Sequence, residues 1–290
     1  MNPTGQHLRW RLSVPDSMED GLSDWLQGFG ATATYRDADP PNDFYAYFKP
    51  GSEGPDPAGL ASFPGVELKA AERFGDEDWI AKSREGFGSF NVGSRFFIRP
   101  LWDQGPLPVD RFAITVNPGL AFGTGGHETT RLCMEFLEQL AKEGKLKGPI
   151  LDIGAGTGIL SLTAYLLGAR SITAFDIDPD CGPAMQEFIT MNEGLGGPTP
   201  FDYFVGDLEN ERNERINPPY RGLLANILLL TIQDLLPRMA EITEPGAWLV
   251  ASGILAECQD EALVSLAAHG FKPLKMLTEG AWVAILAERE

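Results

Sequence analysis

Apolar and polar positions alternate along the chain in two different patterns. Leu8 to Val14 reads as a strand, and Leu22, Trp25, Leu26 and Phe29 then recur at helical spacing behind a cap at Asp16 or Ser17. Gly30 ends that helix. Ala31 to Arg36 and Phe44 to Phe48 read as two strands around the turn-forming residues 37–42, and a further strand lies near Val66 to Ala70. The order β-α-β-β-β predicts a small ferredoxin-like α+β domain over residues 1–71. Its second helix is reduced, because Gly51 to Phe63 is rich in Gly and Pro. Residues 72–108 read as a linker: a helix from Asp76 to Ser83 stopped by Gly86 and Gly88, an apolar patch at Phe96-Phe97-Ile98, and a loop from Pro100 to Pro108. Trp79 and Phe87 read as packing residues there.

From residue 109 to 290 the period changes. Arg111 to Val116 is a strand, Asn117 to Gly126 a glycine-rich loop, and Glu128 to Ala141 a helix with Leu132, Phe136, Leu137 and Leu140 on one face. Strands are expected at Ile150–Ile153, Ser171–Phe175, Phe201–Val205, Gly222–Asn226 and Ala247–Ser252. Helices are expected at Ile159–Leu167, Pro179–Met191, Thr231–Ile242 and Glu257–His269. Such alternation demands right-handed crossovers and a mostly parallel sheet, an α/β Rossmann-like domain.

Composition narrows the chemistry. With 43% hydrophobic and 10% aromatic residues the chain can build a proper core. Its 41 acidic against 23 basic residues, a net charge of −18, argue against sustained contact with a phosphate backbone and favour a basic partner, or serve only as a solubilising surface. Cys133, Cys181 and Cys258 form no C-x-x-C pair, which suggests neither a disulfide framework nor a zinc site. No apolar run approaches a membrane span, and Met1 to Arg11 lacks the apolar core of a signal peptide. A soluble, cytoplasmic monomer without membrane or nucleic-acid contact is expected. No metal is expected either, since the position four after His127 is Arg131 rather than a second histidine.

The candidate chemistry centres on Ile150-Leu151-Asp152-Ile153-Gly154-Ala155-Gly156-Thr157-Gly158 with Asp176-Ile177-Asp178 beyond it. Glycines suit a tight strand-to-helix turn and let a ligand approach bare backbone, and a carboxylate about twenty residues on accepts ribose hydroxyls. Ile159 and Ser161 stand where the dinucleotide fingerprint needs glycine, and no Gly-Lys-Ser or Gly-Lys-Thr marks a phosphate loop. What remains, D-x-G-x-G-x-G, resembles motif I of class I S-adenosylmethionine-dependent methyltransferases. At the end of the third strand Asp207 either holds an adenine edge or begins an acidic surface loop. Asn217-Pro218-Pro219-Tyr220 resembles a motif of adenine and glutamine N-methyltransferases but precedes its strand, so it reads as a turn, and Asn226 takes the site-facing position.

A more specific resemblance lies in Asn117 to Thr130, together with Leu151-Asp152-Ile153-Gly154, Phe175 to Pro179, Ala225-Asn226-Ile227-Leu228, Ser252 to Leu255 and Glu279 to Val283. These stretches look like the bacterial methyltransferases of ribosomal protein L11. The resemblance implies a seven-stranded methyltransferase sheet ending in an antiparallel hairpin of Phe271–Thr278 and Trp282–Ala287. It also implies an N-terminal domain that recognises the substrate, S-adenosylmethionine as cofactor, and methylation of lysine and N-terminal amines of that ribosomal protein. Carried over by position, cofactor contacts fall on Thr130, Gly154, Asp176 and Asn226, with Thr130 closing over the cofactor and Asn226 facing the transfer site. Gly156 and Asp207 join this cofactor set from the strand-end reading. The chain departs from the family at Asn117, at Gly126-His127-Glu128 and at Ser83.

Three other readings remain. A related lysine methyltransferase could act on another protein, such as the electron-transfer flavoprotein β-subunit. A ribosome-associated module could hold the cofactor without catalysis. A nucleic acid methyltransferase is disfavoured by the net charge.

Overall fold

In the computed structural model, which describes residues 7–15, 18–36, 43–48, 52–74, 88–117, 125–196, 200–208 and 215–290, the first alternation becomes an antiparallel sheet. Strands β1 (His7–Ser13), β2 (Ala31–Arg36), β3 (Asp43–Phe48) and β4 (Glu67–Phe74) pair in the order β2-β3-β1-β4. Period-2 spacing puts Leu8, Trp10 and Leu12 of β1 with Phe44, Ala46 and Phe48 of β3 in one core, closed by Leu22 and Leu26 of α1 (Glu19–Gly28). The 3-10 helix Pro57–Ser62 is all that stands in the place of a second helix; Asp56 caps it by accepting from Ala58 N at 2.9 Å. The expected cap at Asp16 or Ser17, the turn at 37–42 and the linker helix from Asp76 to Ser83 lie outside the described residues.

The chain divides into two compact units, Met1–Gly86 and Phe87–Glu290. The apolar patch in the expected linker is not loop. Strands β5 (Phe90–Val92) and β6 (Phe96–Pro100) pair with β7 (Phe112–Val116) in a three-stranded sheet. Two buried polar side chains hold this sheet. Glu138, on α2 (Glu128–Lys142), accepts from Ser94 N and Arg95 N at 2.9 Å each and from Ser94 Oγ at 2.6 Å. Asn192 accepts from Thr115 N and donates to Thr115 O, both at 2.8 Å, so its amide pairs with β7 as another strand would.

The rest of the second unit is a seven-stranded sheet. Its strands are β8 (Pro149–Ile153), β9 (Ser171–Asp176), β10 (Asp202–Val205), β11 (Tyr220–Asn226), β12 (Thr243–Leu255), β13 (Phe271–Glu279) and β14 (Trp282–Arg289). The order is β10-β9-β8-β11-β12-β14-β13, parallel except that β14 runs antiparallel to both neighbours. Helices α3 (Ile159–Leu166), α4 (Cys181–Met191), α5 (Leu229–Ile242) and α6 (Gln259–Ala268) cross between strands, as the alternation predicts. Successive residues of β8 serve opposite faces: Ile150 joins the core that holds Phe136 and Leu162, whereas Leu151 and Ile153 join the one that holds Ile232 and Leu236.

Candidate functional site

Strand order reverses between β8 and β11, and in an open α/β sheet the crevice beyond the carboxyl ends of the strands at such a point is where ligands bind. A cleft of about 920 Å³ opens there. The turn after β8 forms its floor. Gly154, Gly156 and Gly158 all adopt positive φ, at 66°, 55° and 83°. A Cβ on Gly154 would stand 2.4 Å from Ile227 Cγ2, and one on Gly253 would stand 2.2 Å from the Ile227 carbonyl oxygen. The loops after β8, β11 and β12 therefore converge on Ile227, and bare backbone is what lets them meet.

Asp152 supports this turn from beneath. Helix α3 has Gly158 at its N-cap, which offers no side chain, and Asp152 supplies the missing acceptor. Its carboxyl accepts from Ser161 Oγ at 2.6 Å and from the Ser161 backbone. Only 1% exposed, it is pushed up to about 7 by burial, with the Ser161 bonds opposing and the charge of Asp176 adding to the rise. Asp152 is thus a structural carboxyl under the site.

Asp176 ends β9 within reach of the same turn. Gly156 N–H donates to its Oδ2 at 2.8 Å and Asp178 N–H donates to its Oδ1 at 3.0 Å. Two backbone donors fix the carboxylate plane and leave further lone pairs for a ligand's hydroxyls. Cys181 also bonds Asp176, and its thiol is pushed up to about 12, first by burial and then by the surrounding aspartates. That thiol stays protonated.

Of the six residues singled out in the sequence, Gly154, Gly156, Asp176, Asp207 and Asn226 line the cleft. Thr130 does not. Its side chain is fully buried, and its Oγ1 accepts from Asn226 Nδ2 at 3.4 Å. The orientation this bond gives Asn226 leaves its Oδ1 buried with no hydrogen-bond partner among the described residues. An unpaired buried acceptor is costly, and a donor on a bound ligand would remove that cost. The glycine-rich loop read from Asn117 to Gly126 lies mostly outside the described residues. Asn217-Pro218-Pro219-Tyr220 is a turn entering β11, where Asn217 N–H donates to Tyr220 Oη at 3.0 Å, at the strand end opposite Asn226.

His127 and Trp282, named in the sequence only within longer motifs, line the cleft and meet edge to face at 5.0 Å. His127 caps α2, and Arg131 one turn on donates to both carboxylate oxygens of Glu279, at 3.1 Å from Nε and 2.7 Å from Nη2, and to the Gly126 carbonyl. The start of α2 is so tied to the β13–β14 hairpin. Asp178, Asp180 and Asp234 also line the cleft, and among the described lining residues there is no lysine or arginine. Their signal, isolated acids after β9 and within α5, is too common in a chain this acidic to single out.

Residues 60–290 match the family model described as ribosomal protein L11 methyltransferase (PrmA). A ribosomal protein L11 methyltransferase of Trichlorobacter lovleyi is 37% identical over 235 residues, 78% of this chain and 72% of the relative. One of Geotalea daltonii is 34% identical over 242 residues, 81% of this chain and 73% of the relative. Among solved structures, a ribosomal protein L11 methylase from Lactobacillus delbrueckii subsp. bulgaricus superposes with a TM-score of 0.62 at 26% identity, covering 70% of this chain and all of that one.

Proposed function

We propose that this chain, which belongs to the ribosomal protein L11 methyltransferase family, transfers methyl groups from S-adenosylmethionine to lysine and N-terminal amines of ribosomal protein L11. The observation that carries the reading is the buried, unpaired Oδ1 of Asn226 in the same cleft as the carboxylate of Asp176. One acceptor suits an amine N–H, the other the hydroxyls of a ribose. The cofactor supplies, when bound, a methyl group on a cationic sulfur that departs as a neutral thioether.

The chain's own work is positioning. Asp176, held by Gly156 and Asp178, accepts from the ribose hydroxyls, and the bare backbone of Gly154 and Gly156 admits the cofactor close to the turn. Asp207, after β10, holds the adenine edge. Asn226 is the catalytic residue: its Oδ1 accepts from the attacking amine, Thr130 keeps that oxygen aimed, and the Ile227 carbonyl assists. A lysine with a pKa of about 10.4 must shed its proton before attack, and a less hydrated site favours its neutral form. No dedicated base is required. The N-terminal domain, residues 1–71, recognises the protein substrate, and the cytoplasm is the compartment that fits three free cysteines.

The test is transfer of label. The protein is incubated with radiolabelled S-adenosylmethionine and separated large-subunit ribosomal proteins, and label in L11 alone is the expected result. Label in another protein would change the substrate, and none at all despite cofactor binding would end the enzymatic reading.

A further inference from the structure

We infer that Leu228 determines acceptor specificity, its side chain forming an apolar ledge at the cleft mouth against which the methylene stem of a substrate lysine packs on its way to Asn226. The inference rests on the methyl-transfer reading and adds the surface that selects the acceptor. Leu228 lines the cleft and yet is 68% exposed, directly after Ile227, which is wedged against Gly154 and Gly253. An exposed leucine alone means little. This one, however, occupies the N-cap of α5, with φ −61°, ψ 145° and no side-chain cap bond. Leucine is among the poorest residues for that place, where Ser, Thr, Asp or Asn would bond a free N–H of the first turn. A local rule broken without a packing gain marks a site where another demand prevails.

The neighbours say what that demand is. Leu230 is 72% exposed in the first turn of α5, and Leu255, 38% exposed, pairs in register with Trp282 of the cleft wall. The cleft that Leu228 lines is also lined by Asp178, Asp180 and Asp234, with no lysine or arginine among the described lining residues. An apolar side chain in a cleft whose charged lining is acidic matches a side chain with an aliphatic stem and a cationic head, which is lysine on a basic polypeptide. A phosphate backbone or an acidic peptide would meet only repulsion.

Leu228→Asn tests this because the two roles move in opposite directions. A cap residue in place of an exposed leucine raises the melting temperature by about 2–4 °C. Loss of the ledge raises KM for ribosomal protein L11 roughly five- to tenfold, with kcat and the Kd for S-adenosylmethionine held within about twofold. Leu228→Met keeps the wild-type KM, and Val264→Asn, at an exposed position on α6, changes neither. An unchanged KM in Leu228→Asn overturns the ledge while the wild-type enzyme still labels L11. A KM increase accompanied by a lower melting temperature and weaker cofactor binding overturns it too, as that pattern belongs to a structural role. Absence of label with the wild-type enzyme fails the parent reading and the ledge with it.

Discussion

The backbone N–H of Gly156 lies 2.8 Å from Oδ2 of Asp176, so the turn after one strand is tied to the carboxylate at the end of the next. The acid serves the fold and the ligand at once. Asp176→Ala should therefore raise the Kd for S-adenosylhomocysteine at least about 100-fold, since hydrogen bonds to a charged group contribute about 1.5–3 kcal/mol each. Asp176→Asn should fall between. Calorimetric titration reads both, and affinity within fivefold of wild type for the alanine variant would remove Asp176 from the ribose.

Gly154→Ala should destabilise the second unit by about 2–3 kcal/mol in urea unfolding, because φ is 66° and the new Cβ meets Ile227 Cγ2 at 2.4 Å. A β-branched neighbour has little freedom to move aside. Adding Ile227→Ala should recover the steric part but not the backbone part, giving a non-additive pair. Strict additivity would show that the two residues do not collide.

Asp152 imposes a pH dependence of unusual sign for an acid. Its folded value, about 7, lies above the unfolded value of about 3.9, so between these limits the folded state binds more protons than the unfolded one. The group's contribution is complete below about pH 4 and is lost as pH rises through 7. Wild-type stability should thus decline from pH 5 to pH 8 more steeply than that of Asp152→Asn, as thermal unfolding across that range will register. Parallel curves would mean that the carboxyl is already ionised at pH 5.

Glu138→Ala should cost about 3 kcal/mol, because it strips the acceptor from two backbone N–H groups and the Ser94 hydroxyl, and Glu138→Gln, which keeps one acceptor oxygen, should cost less. Hydrogen exchange should report the loss first in β5 and β6. Equal protection there in wild type and Glu138→Ala would show that the hairpin does not depend on this anchor.

Asn226→Ala should lower kcat on ribosomal protein L11 by roughly 100-fold at saturating cofactor, a typical magnitude for losing one positioning contact at the reacting atom. Thr130→Val, which removes the hydroxyl that aims Asn226, should produce a smaller fall in kcat with little change in cofactor affinity. Unchanged turnover in the first variant would take Asn226 out of the transfer site.

Most of the fold is legible in the sequence, because strand and helix have different hydrophobic periods and the second unit keeps them apart. The β8 run Ile150–Ile153 and the stripe Leu132, Phe136, Leu137 and Leu140 fell where expected. Strands β5 and β6 did not stand out, being three and five residues long and broken by the Gly93–Arg95 turn that wraps around Glu138. Within the site, glycines and acids at strand ends were visible because topology places every parallel strand's carboxyl end on one rim. His127 and Trp282 were visible only as parts of longer motifs, since nothing local says that residues so distant in sequence will meet.

The sequence alone determined the alternation of strands and helices and the mostly parallel sheet, since both follow from local periodicity. Tertiary structure decided which polar groups are spoken for. Asp152 caps a helix from inside the core, Thr130 bonds Asn226, and the Asn226 oxygen is left unpaired at the cleft. Hydrogen-bond satisfaction is settled by partners far apart in the chain, and no local pattern of residues records it.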